Sequence, residues 1–398
     1  MSFARARSSV SPCLVGLALI TPLSLVACSD GDGGDDLLDP PPAGQGVQFR
    51  METTIPAGVE GEWCKFMTGP AAETWIERDE VRFTAGSHHV LLYETGYAQI
   101  PTTKLDGTVV DTSGIFDCSD GATNGWNVTK LLGGSQNGTG DSVLDFPDGV
   151  AMKLLAGSVV LMNAHYLNAT DGDLVPEAAI NLWTRPASEV TTEGDLLFLY
   201  NPLIKVKANG SGRARWRCPV HADITIANVQ SHMHKRGMGY SAAVTGQAAF
   251  YENERWESVP VKRFDGGMTV RAGQTLDYWC DYENGEARDI YQGARTTDEM
   301  CMLIGSYYPA DSRTSGCDDA AGGLGGEWVG NGTATCAATF TCMQTAFEAT
   351  DVVRAVTDCI DAASPSVAVE SSAVLRCYAN SDDPGVECTA LVSACQAI

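Results

Sequence analysis

The chain has 398 residues, more than one ordinary core holds, and this length favours two domains with additional segments. Hydrophobic residues make up 44% and charged residues 19% of the sequence, which is typical of a folded globular protein and not of a disordered chain. The 50 acidic and 26 basic residues give a formal charge of −24. This charge argues against nucleic acid as a partner, because phosphate binding requires clustered cations.

The N-terminal segment is typical of an export signal. Arg5 and Arg7 precede an apolar run that ends at Ala27 and Cys28, an ending that resembles a bacterial lipobox. We therefore expect residues 1–27 to be removed and Cys28 to carry the lipid. The chain would then be an exported, membrane-anchored lipoprotein of the bacterial outer membrane or cell surface. The alternative is that this cysteine is an ordinary residue near a cleavage site.

The next segment, residues 28–46, is rich in Asp, Gly and Pro and predicts a mobile linker, because it cannot bury apolar surface. Of the 14 cysteines, Cys13 lies in the signal and Cys28 is the predicted lipid site, which leaves an even number in the rest of the chain. An even number in an exported chain predicts disulfides.

The body of the chain is predicted to be all-β. From residue 47 to about residue 309, short apolar or alternating segments are separated by Gly, Pro, Asn and Asp, a pattern typical of a sandwich or barrel. The length suits two consecutive antiparallel β-sandwich domains, which we place at residues 47–200 and 201–321.

Residues 322–398 begin with a Gly-rich stretch and predict a small helical appendix. Bridges would stabilise a core of this size, which is marginal alone. We expect this tail to be separable from the metal sites and to contribute no metal ligand. Its cysteines lie at positions 336, 342, 359, 377, 388 and 395.

The six histidines are few enough for their positions to be informative. His232 and His234 are two residues apart in an alternating segment, so both would project from one face of a strand, as chelation of one ion requires. From spacing alone, two solvated histidines fit equally well. His88 and His89 are adjacent and would point to opposite faces unless the preceding Gly-Ser allows a bulge. His165 lies in an apolar strand, where a lone histidine is more often a core residue than a ligand.

The order of these motifs resembles the copper type II, ascorbate-dependent monooxygenases, the family of the peptidylglycine α-hydroxylating and dopamine β-monooxygenases. That family has four motifs in a fixed order. They are an HH pair, a His before Tyr, an HxH followed closely by Gly, and a Met in Glu-Met-Cys before a Tyr pair. The corresponding residues between about 60 and 317 are His88-His89, His165-Tyr166, His232-Met233-His234 with Gly237, Glu299-Met300-Cys301, and Tyr307-Tyr308.

The resemblance implies jelly-roll-like sandwiches and two copper ions in separate sites. The electron-supplying ion would be held by His88, His89 and His165. The catalytic ion, which meets O₂ and substrate, would be held by His232, His234 and Met300, whose thioether favours Cu(I) and argues against zinc. The disulfides implied by the resemblance are Cys64–Cys118, Cys218–Cys317 and Cys280–Cys301.

The implied activity is hydroxylation of a substrate C–H bond with O₂ and ascorbate or another external one-electron reductant. The substrate would be a small molecule or a peptide. The peptide-amidating relative binds a carboxylate through Arg, Asn and Tyr, whereas this chain has Gln230, Met302 and Ile304 at those positions. A glycine-extended peptide is therefore not expected. Met302 and Ile304 indicate either a more apolar ligand or ordinary strand core.

Three further points stay open at this stage. Asn163 either orients a ligand histidine or is an ordinary polar strand residue, and the isolated His221 is interpreted as structural or exposed. The alternative function is a non-catalytic copper-binding surface lipoprotein that buffers or delivers copper. A purely structural lipoprotein is disfavoured by the complete ligand set.

Overall fold

The computed structural model describes residues 37–137 and 142–398. The predicted signal, the lipid site Cys28 and most of the predicted linker lie outside the described residues. Within the described ranges, no helix combines the length and the apolar character needed to cross a bilayer.

The body consists of β-strands, so the all-β prediction is confirmed. We call β1–β10 with their connections the first half, and β11–β21 with theirs the second half. The strands of the first half are β1 (Gly46–Glu52), β2 (Glu60–Thr68), β3 (Thr74–Phe83), β4 (Ser87–Thr95), β5 (Ile115–Asp117), β6 (Val128–Ser135), β7 (Val150–Leu154), β8 (Val159–Leu167), β9 (Glu177–Arg185) and β10 (Thr192–Glu193). Those of the second half are β11 (Asp195–Tyr200), β12 (Lys205–Val206), β13 (Gly210–Pro219), β14 (Ile224–Met233), β15 (Gly237–Val244), β16 (Ala249–Asn253), β17 (Lys262–Val270), β18 (Thr275–Asn284), β19 (Ile290–Tyr291), β20 (Cys301–Tyr308) and β21 (Glu327–Val329).

Each half has two principal sheets around its own core. The first-half sheets have the orders β1-β9-β3-β7-β10 and β5-β2-β8-β4-β6, and the first core includes Phe66, Leu92 and Leu161. The second-half sheets have the orders β11-β20-β14-β17 and β16-β15-β18-β13-β21, and β12 pairs with β19. The second core includes Ile226 and Tyr278. Alternating apolar residues bury one face of strands such as β13, as the sequence pattern predicts, whereas β8 is buried along nearly its whole length.

The sheet β11-β20-β14-β17 contacts both cores. Along β11, Leu197 and Leu199 belong to the second core, whereas Leu196 belongs to the first core and Phe198 packs against it. Successive strand residues point to opposite faces, so one sheet can serve both halves. The boundary at residue 201 stays a prediction, although β11, which we placed before it, pairs with β20 of the second half.

The described end of the predicted linker contacts the first half, and the mobility of the segment stays a prediction. Leu38 is buried, and its carbonyl accepts a hydrogen bond of 2.8 Å from Gln48 Nε2 on β1. The carbonyl of Asp39 accepts one of 2.7 Å from Asn181 Nδ2 on β9. These hydrogen bonds fix the segment against a sheet edge despite its Pro-rich sequence.

The body contains the disulfides that the resemblance implies, Cys64–Cys118, Cys218–Cys317 and Cys280–Cys301. The tail is helical and disulfide-bonded, as predicted, with bridges Cys336–Cys395, Cys342–Cys359 and Cys377–Cys388. The α-helices are α1 (Ser312–Gly316), α2 (Cys336–Ala346), α3 (Val352–Ala362), α4 (Ala368–Asn380), α5 (Pro384–Glu387) and α6 (Thr389–Gln396), with short 3₁₀ helices at Ala187–Glu189 and Pro365–Val367.

The tail packs against the second core, and its separability from the metal sites stays a prediction. Strand β21 pairs with β13, and the ring of Trp328 stacks on Trp216 with centroids 5.3 Å apart. Met343, Ile360 and Leu375 of the tail helices belong to the same core. Removing the tail would therefore expose apolar surface of the second half.

Trp328→Ala is expected to lower the free energy of unfolding by about 3–5 kcal/mol, because a buried aromatic side chain is replaced by a cavity. Urea denaturation of the parent and the variant measures the difference. Val386 is 70% exposed in the same tail, so Val386→Ala is the control, with an expected change below about 0.5 kcal/mol. Equally small changes in both variants would contradict the role of the tail in the core.

Candidate metal centre

The first three histidines meet where β4 pairs with β8. The pairing register shifts between Ser87 and His89, so His88 is the extra residue of a bulge, as expected from the Gly-Ser before it. His89 lies opposite His165 in the register, and their ring centroids are 5.3 Å apart. The His88 ring lies 5.5 Å from His89 and 5.4 Å from His165. The bulge thus allows adjacent residues to reach one place.

The HxH pair lies at the end of β14. The ring centroids of His232 and His234 are 5.3 Å apart, in agreement with the prediction that both project to one side. A tight turn follows, in which Gly237 N donates to the His234 carbonyl at 2.9 Å. A Cβ atom at Gly237 would lie 2.8 Å from the Cβ atom of Met233, so the turn favours glycine there.

Met300 lies immediately before β20 and is half-buried. Its carbonyl accepts a hydrogen bond of 2.6 Å from the Tyr282 hydroxyl, and the carbonyl of Asp298 lies 3.1 Å from His234 Nδ1. The segment 298–300 is therefore positioned beside the HxH pair. Ligation by the Met300 thioether stays a prediction.

The structure brings the five predicted histidine ligands into one cluster. The ring of His88 lies 5.9 Å from His232 and 6.0 Å from His234. The ligand nitrogens of His88, His89 and His165 lie within 4.8 Å of one another, and so do those of His88, His232 and His234. The two groups share His88 in the structure, whereas the resemblance implied two separate sites. The number of ions stays a prediction.

Every histidine of the cluster has a buried ring nitrogen without a hydrogen-bond partner in the structure. These atoms are His88 Nε2, His89 Nδ1, His165 Nδ1, His232 Nε2 and His234 Nε2. A buried polar atom left unpaired costs free energy, and such atoms are rare in folded proteins. Several converging imidazole nitrogens are also a donor set that copper accepts. The residues present therefore fit a copper ion.

Three of these rings are oriented by a hydrogen bond at the other nitrogen. The pairs are His165 Nε2 with Glu60 Oε1 at 3.1 Å, His232 Nδ1 with Gln136 Oε1 at 2.8 Å, and His234 Nδ1 with the Asp298 carbonyl at 3.1 Å. The hydrogen bond to His165 lowers the pKa of Glu60 to about 2. The carboxylate is therefore ionised and can only accept hydrogen bonds. Oxygen acceptors hold the proton on the bonded nitrogen and leave the other nitrogen free for a metal.

The surroundings favour the neutral form of His88, His89, His232 and His234. Burial, followed by the neighbouring His165, lowers the pKa of His88 to about 4. Burial lowers the pKa of His234 to about 3 and those of His89 and His232 well below the usual value. Desolvation disfavours the charged form of an imidazole, and a neutral ring has the lone pair that metal binding requires.

Two residues left open by the sequence have structural contacts. Asn163 Nδ2 donates to Glu62 Oε2 at 3.2 Å, beside the Cys64–Cys118 bridge, which favours the interpretation as an ordinary polar strand residue. His221 Nε2 lies 2.8 Å from the Asp318 carbonyl, in agreement with a structural role.

The fold and the site together define a β-sandwich protein with a buried histidine cluster suited to a metal ion. Residues 207–322 match the family model of the copper type II ascorbate-dependent monooxygenase C-terminal domain. This range contains His232, His234 and Met300, and the match confirms the resemblance to that family for this part of the chain. It supports copper and ascorbate dependence and monooxygenase chemistry in general.

The other comparisons add no functional information. A search of curated proteins found no match. Among solved structures, the chain is similar to the major capsid protein P2 from bacteriophage PM2, with 10% identity and a TM-score of 0.25. That alignment covers 65% of this chain and 97% of the capsid protein. A TM-score of this size carries no argument.

Glu299 holds the turn that carries His234, a role that sequence reasoning missed although the residue lies in the Glu-Met-Cys motif. The carboxylate is fully buried and accepts hydrogen bonds from His234 N at 3.1 Å and Arg236 N at 3.0 Å. The Arg236 guanidinium contacts the same carboxylate at 3.4 Å. Burial raises the pKa of Glu299 to about 7.

Glu299→Ala is expected to destabilise the metal-free protein by about 3–5 kcal/mol, because it leaves a buried guanidinium and two backbone donors without their acceptor. Denaturant unfolding measures the loss. The matched control is Glu286→Ala, which removes the exposed carboxylate that contacts the same Arg236. The control should cost much less, because Glu286 is itself 41% exposed and Arg236 keeps its contact with Glu299. A Glu299→Ala variant as stable as the control would exclude this structural role.

Proposed function

We propose that the protein is a copper-dependent monooxygenase that hydroxylates a C–H bond of its substrate, using O₂ and ascorbate or another external one-electron reductant. The observation that carries the proposal is the convergence of five unpartnered histidine nitrogens in a chain whose residues 207–322 match this family. Copper, when bound, supplies the redox chemistry that activates O₂.

The protein's own contribution is to hold and orient the ligands. Two strands of the first half carry His88, His89 and His165, and β14 with its following turn carries His232 and His234. Hydrogen bonds at the outer nitrogens hold three of the rings in the orientation that binds metal. Four of the five side chains are buried, and only His88 is more exposed, which limits the access of bulk water to the cluster.

The substrate is proposed to be a small molecule or a peptide other than a glycine-extended one. Gln230 is buried, and its Nε2 donates to the Val259 carbonyl at 3.1 Å. Met302 is buried and Ile304 packs against the first core, which supports the interpretation of both as strand core. These side chains are used in packing, so they do not provide the donors that a carboxylate requires.

The proposed location is outside the cytoplasm, with the chain anchored to a membrane through Cys28. The supporting observation is the set of disulfides in the body and tail, since such bridges persist in oxidising compartments. Mass spectrometry of the protein from its membrane fraction would show a diacylated or triacylated Cys28 N-terminus.

We expect the mature protein to hold about two equivalents of copper after reconstitution and desalting. His89→Ala removes a ligand of the cluster and should lower the copper content, whereas His221→Ala removes a histidine outside the cluster and should not. Elemental analysis of the three proteins measures the copper content. A parent without copper, or with zinc that copper cannot displace, would contradict the proposal.

An oxygen-uptake assay distinguishes the proposed enzyme function from the alternative, a non-catalytic lipoprotein that buffers or delivers copper. The copper-loaded protein with ascorbate should consume O₂ in a manner that depends on the substrate when a library of small molecules and peptides is screened. The hydroxylated product, identified by mass spectrometry with ¹⁸O₂, should contain one labelled oxygen atom. Tight copper binding without any product across the library would favour the non-catalytic alternative.

Met300→His is expected to retain copper at His88, His89 and His165 but to lose most of the hydroxylation, because the soft donor of the second group is replaced by a harder one. X-ray absorption of the Cu(I) protein should lose its sulfur scatterer. Met302→Leu is the matched control, since it removes a neighbouring thioether at similar volume. Sulfur scattering that survives in Met300→His but disappears in Met302→Leu would move the ligand assignment to Met302.

A further inference from the structure

Gln136 of the first half contacts a histidine of the second half. It follows β6, and its Oε1 lies 2.8 Å from His232 Nδ1. The same amide donates from Nε2 to the Ser231 carbonyl at 2.7 Å. Since Nε2 must face a carbonyl oxygen, the orientation of the amide is determined, and Oε1 can only accept from His232 Nδ1–H.

Glu60 makes a corresponding contact at the other histidine group. It begins β2, and its Oε1 lies 3.1 Å from His165 Nε2 within the first half. The same oxygen accepts a hydrogen bond of 2.9 Å from the backbone N of Thr296 in the second half. Thr296 belongs to the segment that leads to Met300. Each side chain therefore contacts a cluster histidine and a backbone atom of the second half.

We propose that Gln136 and Glu60 are positioning residues that set the ring tautomers of His232 and His165 and couple the two histidine groups across the interface between the halves. The inference rests on the proposed function only in that the cluster binds copper. It assigns roles to two residues that lie outside every ligand motif of the sequence.

The two histidine groups are coupled because both acceptors, Gln136 and Glu60, lie in the first half and contact the second half. His232 has a first-half oxygen as the partner of its Nδ1, so its Nε2 is free to face the cluster only while the halves are docked. Loss of docking would also separate Glu60 from Thr296 and would move His88 away from the HxH pair. Metal binding to either group therefore favours the docked arrangement, and the two binding events assist each other.

The tautomer is measured in the metal-free protein labelled with ¹⁵N-histidine, through long-range ¹H–¹⁵N correlations. The parent should show His232 protonated at Nδ1. Gln136→Leu removes the acceptor at similar volume and should abolish this preference, whereas Gln136→Glu keeps an acceptor for Nδ1–H and should retain it, although it loses the donor to the Ser231 carbonyl. Glu60→Leu should change the signal of His165 and leave that of His232 unaltered.

Asn137 provides the matched control for docking alone. Its Nδ2 donates to the Val259 carbonyl at 3.0 Å, which is also a contact between the halves but one that involves no histidine. Asn137→Ala should leave both tautomers as in the parent. An unchanged His232 tautomer in Gln136→Leu, or the same change in Asn137→Ala, would overturn the inference.

Copper titration of the same variants gives the second readout. Gln136→Leu should weaken the weaker of the two binding events by about 10–100-fold, the usual effect of losing a partner of a ligand histidine, and Gln136→Glu should recover most of it. Equal affinities in the parent and Gln136→Leu would overturn the inference. A parent that binds no copper would contradict the proposed function, while the tautomer experiment would still decide the inference.

Discussion

The packing of one sheet between two cores is the constraint on which the site depends. Strand residues alternate between faces, so on β14 Met233 enters the second core while His232 beside it faces the first half. On β20, Leu303 and Ile304 divide in the same way between the second and first cores. A register slip of one residue would exchange these faces and turn the histidine away from the cluster. The apolar alternation therefore positions the metal ligands as well as the core.

The same packing creates an electrostatic cost that a metal ion would remove. Burial and mutual proximity lower the pKa of His89 and His232 and favour their neutral form, and the unpartnered nitrogens of the cluster converge where water is largely excluded. Binding an ion supplies the missing partner to each nitrogen, and a ligand that binds only the folded state stabilises it by mass action. The unpaired nitrogens thus destabilise the metal-free fold, and the same nitrogens are available to bind a metal ion.

Much of this arrangement could be predicted from the sequence. The alternation indicated β-strands, the Gly-Ser before His88 indicated a bulge, and the order of the motifs implied the ligands and the body disulfides. The roles of Glu60 and Gln136 could not, because their partners lie 105 and 96 residues away and no spacing rule connects them. Likewise, the Gly-rich joint did not indicate that Trp328 stacks on Trp216, because this packing depends on a surface formed only by the folded second half.

The departure from the peptide-amidating relative has a physical explanation in the loop between β16 and β17. The Val259 carbonyl in this loop accepts hydrogen bonds from Gln230 of the second half at 3.1 Å and from Asn137 of the first half at 3.0 Å. The loop also carries Trp256, whose ring lies 5.9 Å from that of His88. Gln230, at the position where the resemblance places a carboxylate-binding arginine, thus contacts the loop that holds Trp256 beside the cluster. The hydrogen bond of Gln230 to the Val259 carbonyl supports the proposal of a substrate that lacks a carboxylate at that point.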